Sequence, residues 1–134
     1  MKVPLLPEGH SRPIGRYSPG IAWTVSPGDR LVFVTGQVAV DAEGRTLALG
    51  DPAGQTEIVF HNIERVLAEA GGGLEDLVSL TVYLTDRDDF QHVSRVRNAV
   101  LPDVAPSSTL VVVASLADPD HVVEISGVAI VPAR

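Results

Sequence analysis

The chain has 134 residues, the size of one domain, and 45% of them are hydrophobic against 20% charged, a balance that excludes a disordered chain. It contains no cysteine, which excludes disulfides, thiol nucleophiles and cysteine-ligated metal centres. Its 17 acids against 10 bases give a formal charge of −7, a field that repels phosphate backbones and argues against a nucleic-acid partner.

The first 20 or so residues hold Pro4, Pro7, Pro13 and Pro19 with Gly9, Gly15 and Gly20. That density favours irregular, extended chain over helix. There is no apolar run of the kind a secretory signal has, and none long enough to span a bilayer. The expected location is therefore the cytoplasm, away from any membrane. Ile21–Val25 reads as a short strand, and Ser26-Pro27-Gly28-Asp29 as a turn. Leu31–Thr35 follows as a second strand, giving a first hairpin. Gly36 marks a bulge or a close backbone approach, because Gly weakens an ordinary strand interior. Gln37–Asp41 continues extended, and Glu43-Gly44 is a turn.

Asp51-Pro52 is a helix start, with Asp as cap and Pro at the first helical position. Val59, Ile63, Val66, Leu67 and Ala70 recur at helical spacing, and Gly71-Gly72-Gly73 ends the helix. Leu77–Leu84 alternates as a strand with Val78, Leu80, Val82 and Leu84 on one face. Asp86 caps a second helix, striped by Phe90, Val93, Val96 and Val100 and stopped by Pro102. Thr109–Leu116 and His121–Val131 are strands separated by an Asp118-Pro119-Asp120 turn.

This order predicts a single α+β domain over residues 1–134. It has a mixed sheet of about six strands, with both helices packed on one face. The last two strands carry apolar residues on both faces: Val111 and Val113 against Leu110, Val112 and Ala114, then Val122 and Val128 against Val123, Ile125 and Ala129. A strand apolar on both faces is normally buried on both. The second face therefore calls for a cover that this chain does not contain, and a homo-oligomer packed sheet on sheet supplies it. The six aromatics are too few to fill such a core, which must be mostly Val, Ala, Leu and Ile.

Phosphate-binding glycine loops and the nucleophile elbow are absent from the sequence. His61 and Glu64 share a helix face but make only two ligands, too few for a metal site. His121 and Glu124, three apart on a strand, point to opposite faces. Glu124 is the strongest chemical candidate. It sits inside an apolar strand on the face assigned to partner subunits, and loss of water around a carboxylate suits it to proton transfer. The alternative is a solvated edge charge or an interface ion pair. Tyr17, in irregular chain, walls a ligand pocket or plugs the core. Ser107, Ser108 and Thr109 can donate hydrogen bonds to an anion or serve as strand-start residues.

At these residues the sequence resembles the reactive-intermediate deaminase family, also called the RidA or YjgF family and formerly endoribonuclease L-PSP. The likeness runs from about Ile14 to Val131. Ile14-Gly15-Arg16-Tyr17-Ser18 is similar to the family's IGPYS, and Thr35-Gly36-Gln37 to its SGQ. The run from Leu80 to Phe90 resembles TTVFLxDxxDF. Ala114-Ser115-Leu116 and Val123-Glu124-Ile125 match the AxL and VEIE blocks. The resemblance implies a chorismate-mutase-like fold and a homotrimer with small-molecule ligands in clefts between subunits. It also implies hydrolysis of 2-imino or enamine acids to 2-keto acids and ammonia, with no cofactor and no metal. The family's catalytic Glu corresponds to Glu124, its cleft Tyr to Tyr17 and its Gly to Gly36.

The likeness also implies substrate-binding positions at Ser94, Ser108, Thr109 and Leu110. Here the sequence departs from the pattern. Pro106-Ser107-Ser108-Thr109 stands where the family has PARS, so Ser108 replaces its carboxylate-binding Arg, and Ser94 replaces a helix Asn. A neutral hydroxyl cannot replace a cationic fork, since charge-assisted hydrogen bonds are roughly twice as strong as neutral ones. This identifies an Arg-lacking branch. Its ligand is neutral, or another Arg supplies the charge: Arg16, next to Tyr17, ahead of Arg97 on the second helix. A non-catalytic ligand-binding or regulatory trimer is the alternative function. Ribonuclease activity or translation inhibition is disfavoured by the acidic charge.

Overall fold

Six strands and two helices follow one another in the computed structural model, which describes residues 1–133. They are β1 (Lys2–Leu5), β2 (Gly20–Trp23), β3 (Arg30–Gln37), α1 (Pro52–Glu69), β4 (Leu77–Leu84), α2 (Phe90–Val100), β5 (Ser107–Val112) and β6 (Val123–Val131). The architecture is α+β. The strands divide between a four-stranded mixed sheet, in the order β3-β6-β4-β5, and a separate β1-β2 ribbon. β4 and β5 run parallel, and the other neighbours in the large sheet are antiparallel.

Helix α1 forms as its sequence dictates. The Asp51 carboxylate accepts from the Gly54 amide at 3.0 Å, and Pro52 needs no hydrogen-bond partner at the first position. Past the last turn the chain reverses at Gly71, whose φ of 77° lies in the left-handed region that favours glycine. Val59, Phe60, Ile63 and Leu67 are buried, and α1 packs on β3 and β6. α2 packs against α1 and adds Val93 and Val96 to the same core.

The expected hairpin between the second and third strands does not form. β2 pairs with β1, Lys2 opposite Trp23 and Leu5 opposite Gly20, so part of the Pro-rich leader is strand. Pro4 is tolerated there because a two-stranded ribbon consists of edge strands. β5 spans Ser107–Val112 rather than Thr109–Leu116, although the Val113 amide still donates to the Leu84 carbonyl at 2.8 Å. β6 begins at Val123, because His121 belongs to the preceding turn and its amide donates to the Asp118 carbonyl. In β4 a register shift between Leu77 and Ser79 leaves Leu77 fully buried opposite Ala129, while Val78 is only half-buried.

The faces of the large sheet differ sharply. Val123, Ile125, Gly127, Ala129 and Val131 of β6 are buried on the helix side. Glu124, Ser126, Val128 and Ile130 alternate with them and are half-buried on the outer side. Opposite Ile130 and Val128 stand Leu31 and Phe33 of β3, 59% and 73% exposed. Neither helix covers this outer row. It is apolar along β3 and polar in the middle, at Ser79, Thr81 and Ser126.

Asp29 ties the ribbon to the C-terminal end. Its carboxylate accepts from the Ser26 amide at 2.8 Å, from Trp23 Nε1 at 3.0 Å and from the Ala133 amide at 3.1 Å. These donors, the Ser26 amide first, hold its carboxyl below the usual aspartate range. A depressed carboxylate stabilises the fold at neutral pH, and that contribution disappears as pH falls through the folded value. Asp29→Ala is therefore expected to melt below the wild type at pH 7. The gap should narrow as pH drops below about 4, as read by circular dichroism melts across pH.

Candidate functional site

The candidate residues fall into two groups, on opposite sides of the sheet. The first gathers around α2. Asp86 accepts from the Asp88 amide at 2.8 Å and starts the single 3-10 turn that leads into the helix. Ser94 and Arg97 are three residues apart, hence on one side, and both are buried beside Val93 and Val96. Arg97 Nη2 donates to Ser94 Oγ at 3.1 Å. The guanidinium carbon lies 5.5 Å from the centre of the Tyr17 ring, within cation–π range.

The segment from Gly15 to Ser18 lies over this guanidinium and is pinned on both sides. The Arg16 amide donates to Asn98 Oδ1 at 2.8 Å. The Ser18 amide donates to the Pro106 carbonyl at 2.9 Å, and Ser18 Oγ to the Ala105 carbonyl at 2.6 Å. A Cβ at Gly15 would collide with Arg97 Nη2, so glycine lets the chain pass this close without displacing the guanidinium. An open cleft of about 450 Å³ borders Gly15, Arg16, Tyr17 and Asn98. A second, of about 380 Å³, is bordered by Ile14, Phe90, Ser94 and Asn98.

The two arginines near Tyr17 differ in state. Arg16 Nη1 is paired with Asp103 Oδ1 at 2.6 Å. Arg97 is 3% exposed, and no carboxylate among the described residues forms an ion pair with it. Burial pushes its guanidinium below the ordinary value, with Tyr17 acting the other way; an arginine remains charged at neutral pH regardless. Arg97 Nε and Ser108 Oγ are both buried without a hydrogen-bond partner. Ser108 stands opposite the buried Leu80. Leu110 stands opposite Val82 and is half-buried, while Thr109 is exposed.

The second group lies on the outer side. Glu124 is opposite Tyr83 of β4, and the register of β3 shifts between Val34 and Gln37, around Gly36. Gly36 sits directly against the Glu124 carboxylate: a Cβ there would collide with Oε2 and stand 2.8 Å from Cδ. The start of β6 is held by Gln55, a fully buried residue of α1. Its Nε2 donates to the Asp120 carbonyl at 2.9 Å, and its Oε1 accepts from the Val122 amide at 3.0 Å. The adjacent His121 Nε2 shares a hydrogen bond with Thr46 Oγ1 at 3.1 Å. Gln55 thereby positions Glu124 from the far side of the sheet. Its sequence signal is a lone amide within the apolar face of α1.

Within one chain, Tyr17, Ser94 and Arg97 come together, and Glu124 joins Gly36. The structure does not unite the groups: β4 lies between Glu124 on β6 and Ser108 on β5, and the two residues face opposite sides. Sequence proximity to Tyr17 favours Arg16, whereas the fold brings Arg97 under its ring. Asn98 and Asp103, which hold Arg16, carry no motif. His61 and Glu64 are exposed on α1, and among the described residues no cluster of three or more metal-binding side chains occurs. No helix among them is long and apolar enough to cross a membrane.

Residues 9–131 match the family model described as Endoribonuclease L-PSP. The chain is 32% identical over 125 residues to the 3-aminoacrylate deaminase RutC of Acinetobacter baylyi, covering 93% of this chain and 94% of that protein. It superposes on a Rid-family protein of unknown function from Yersinia pestis with a TM-score of 0.86, at 24% identity over 96% of this chain and 97% of that one. RidA from an Antarctic Psychrobacter is 34% identical, with a TM-score of 0.69 over 88% of this chain and 90% of its own.

The close approach at Gly36 has a direct test. Gly36→Ala is expected to push the Glu124 carboxylate aside by about 1 Å with little change in melting temperature. A crystal structure of the variant reads the shift. A displacement of that size slows a reaction that uses the carboxylate by about 100-fold.

Proposed function

Because the chain belongs to the Endoribonuclease L-PSP family, we propose that it is a homotrimeric, cofactor-independent deaminase of small imine or enamine metabolites. The observation that carries this reading is the Glu124 carboxylate, set on the uncovered sheet face and held against the Gly36 backbone. The likeness to a 3-aminoacrylate deaminase along nearly the whole chain supports the substrate class.

The exposed Leu31 and Phe33 form the apolar part of the subunit interface. In the proposed trimer each cleft is made by two chains in a head-to-tail contact, with the Glu124 group on the outer sheet face of one subunit meeting the Tyr17 and Ser94 group at the helix end of its neighbour. There the carboxylate takes a proton from water as the water oxygen adds to the C=N carbon, and it passes that proton to the nitrogen, which returns the carboxylate to its ionised state. Glu124 then takes the hydroxyl proton of the resulting carbinolamine and delivers it to the nitrogen as the C–N bond breaks, so that a carbonyl forms, ammonia leaves and the carboxylate is ionised again. The net charge of −7 is unsuited to RNA, which places ribonuclease activity behind this reading. The neutral Ser108 at the family's Arg position favours a second reading, an Arg-lacking trimer that binds a metabolite without turning it over.

Two measurements test the proposal. The wild type is expected to speed ammonia release from freshly generated 2-aminoacrylate or 3-aminoacrylate, and Glu124→Gln to lose at least about 100-fold of that rate with its assembly intact. Saturable binding without acceleration by the wild type would establish the non-catalytic trimer instead. Phe33→Asp is expected to convert the assembly to monomers by light scattering, and activity should fall with it. A stable, active monomer would refute the shared cleft.

A further inference from the structure

We propose that the outer face of the large sheet carries a water-holding site next to Glu124, built from the hydroxyls of Thr81 and Ser126 with those of Ser79 and Thr35 at its border. This deepens the deaminase reading by naming where the water that the reaction consumes is held. It rests on that reading only for the use to which the water is put.

The strand register brings these side chains together. Along β4 and β6, Tyr83 stands opposite Glu124, Thr81 opposite Ser126 and Ser79 opposite Val128. All six are half-buried and alternate with residues sealed on the helix side, so they share the outer face. Successive pairs on one face are about 7 Å apart along the strands. The Thr81 and Ser126 pair is therefore the next step along the sheet from the carboxylate. Thr35 joins from β3. It lies in the register shift immediately before Gly36, whose backbone meets the Glu124 carboxylate. The four hydroxyl residues border an open hollow of about 380 Å³, with Phe33 and Val128 as apolar walls.

The chemistry of the hollow selects water. Its polar side chains are all hydroxyls, and no charged side chain among the described residues borders it. The hydroxyls of Ser18, Thr56 and Ser107 donate to backbone carbonyls. By contrast, no hydrogen bond within the described residues uses those of Thr35, Ser79, Thr81 or Ser126, and each offers one donor and two lone pairs. The arrangement also inverts an ordinary interface, which is apolar at its core and polar at its rim. Here the exposed Leu31 and Phe33 lie on the edge strand β3, while Thr81 and Ser126 lie on the central strands β4 and β6. A second copy that covers Leu31 and Phe33 encloses the hydroxyls as well, and an enclosed hydroxyl needs a partner. Water supplies one to each, and a hollow of about 380 Å³ has room for several molecules at about 30 Å³ apiece. A water spent at Glu124 is then replaced by the next along the row.

Crystallography and kinetics on the assembled protein test the proposal. A crystal structure of the wild type is expected to show ordered waters bonded to Thr81 Oγ1 and Ser126 Oγ, the nearest of them within hydrogen-bond reach of the Glu124 carboxylate. Thr81→Val keeps the shape of the side chain and removes the hydroxyl. It should lower kcat for freshly generated 2-aminoacrylate about 2- to 10-fold, the range of one neutral hydrogen bond, with KM unchanged and the assembly intact by light scattering. Thr81→Ser keeps the hydroxyl and should retain the wild-type rate. Hydroxyls bonded directly across the interface with no water between them, or an organic molecule filling the hollow, overturn the proposal. So does a Thr81→Val protein with wild-type kcat, or a loss of rate that Thr81→Ser shares or that comes with dissociation. Ordered waters in place in a wild type that releases no ammonia overturn the deaminase reading alone and leave the water site standing.

Discussion

The packing of α1 on β6 governs most of what this molecule can do. Val59, Ile63 and Leu67 of the helix are fully buried with Val123, Ile125 and Ala129 of the strand in one core. Because strand side chains alternate, sealing that row fixes the opposite row, Glu124, Ser126, Val128 and Ile130, on the outer side. A one-residue slip would bury a carboxylate among valines, so the core itself enforces the register. Gln55 adds a polar lock at the entry of β6 by satisfying the Asp120 carbonyl and the Val122 amide from within α1. The candidate catalytic side chain is thus placed by a helix that it does not touch.

The elements that read clearly from sequence are those whose instructions are local. Asp51-Pro52 carries its own cap, and α1 begins there. The alternation of Leu77–Leu84 needs no distant partner to be recognised, and β4 has those bounds. What was hidden depended on pairing at a distance. Lys2–Leu5 becomes a strand only because Gly20–Trp23 lies beside it, and two prolines nearby argue against that locally. β5 ends early because β4, its parallel partner, ends at Leu84. The same division holds for the candidate site. Gly36 announced a close approach by being a glycine in a strand, and its neighbour is Glu124. Arg97 gave no such signal, since an arginine in a helix is ordinarily solvated. Only the overlying segment, tied to Asn98, Ala105 and Pro106, makes it a buried charge.

Two arginines close to one tyrosine illustrate how a charge count misleads. Among the chain's 10 basic residues, Arg16 spends its charge on Asp103 at the surface, where an ion pair contributes little. Arg97 keeps its charge in a place where water does not screen it, and its field therefore reaches any anion nearby with far more effect. The acidic balance of the whole molecule coexists with a local cationic spot.

The contact of Gly15 with Arg97 has a mechanical corollary. A side chain at position 15 would force the guanidinium to shift, and Asn98 Oδ1 crowds the same place. The two sites, 82 residues apart in the chain, therefore constrain each other. A change at either end is felt at the other, so the strap and the second helix pack as one unit although the chain between them forms β2, β3, α1 and β4.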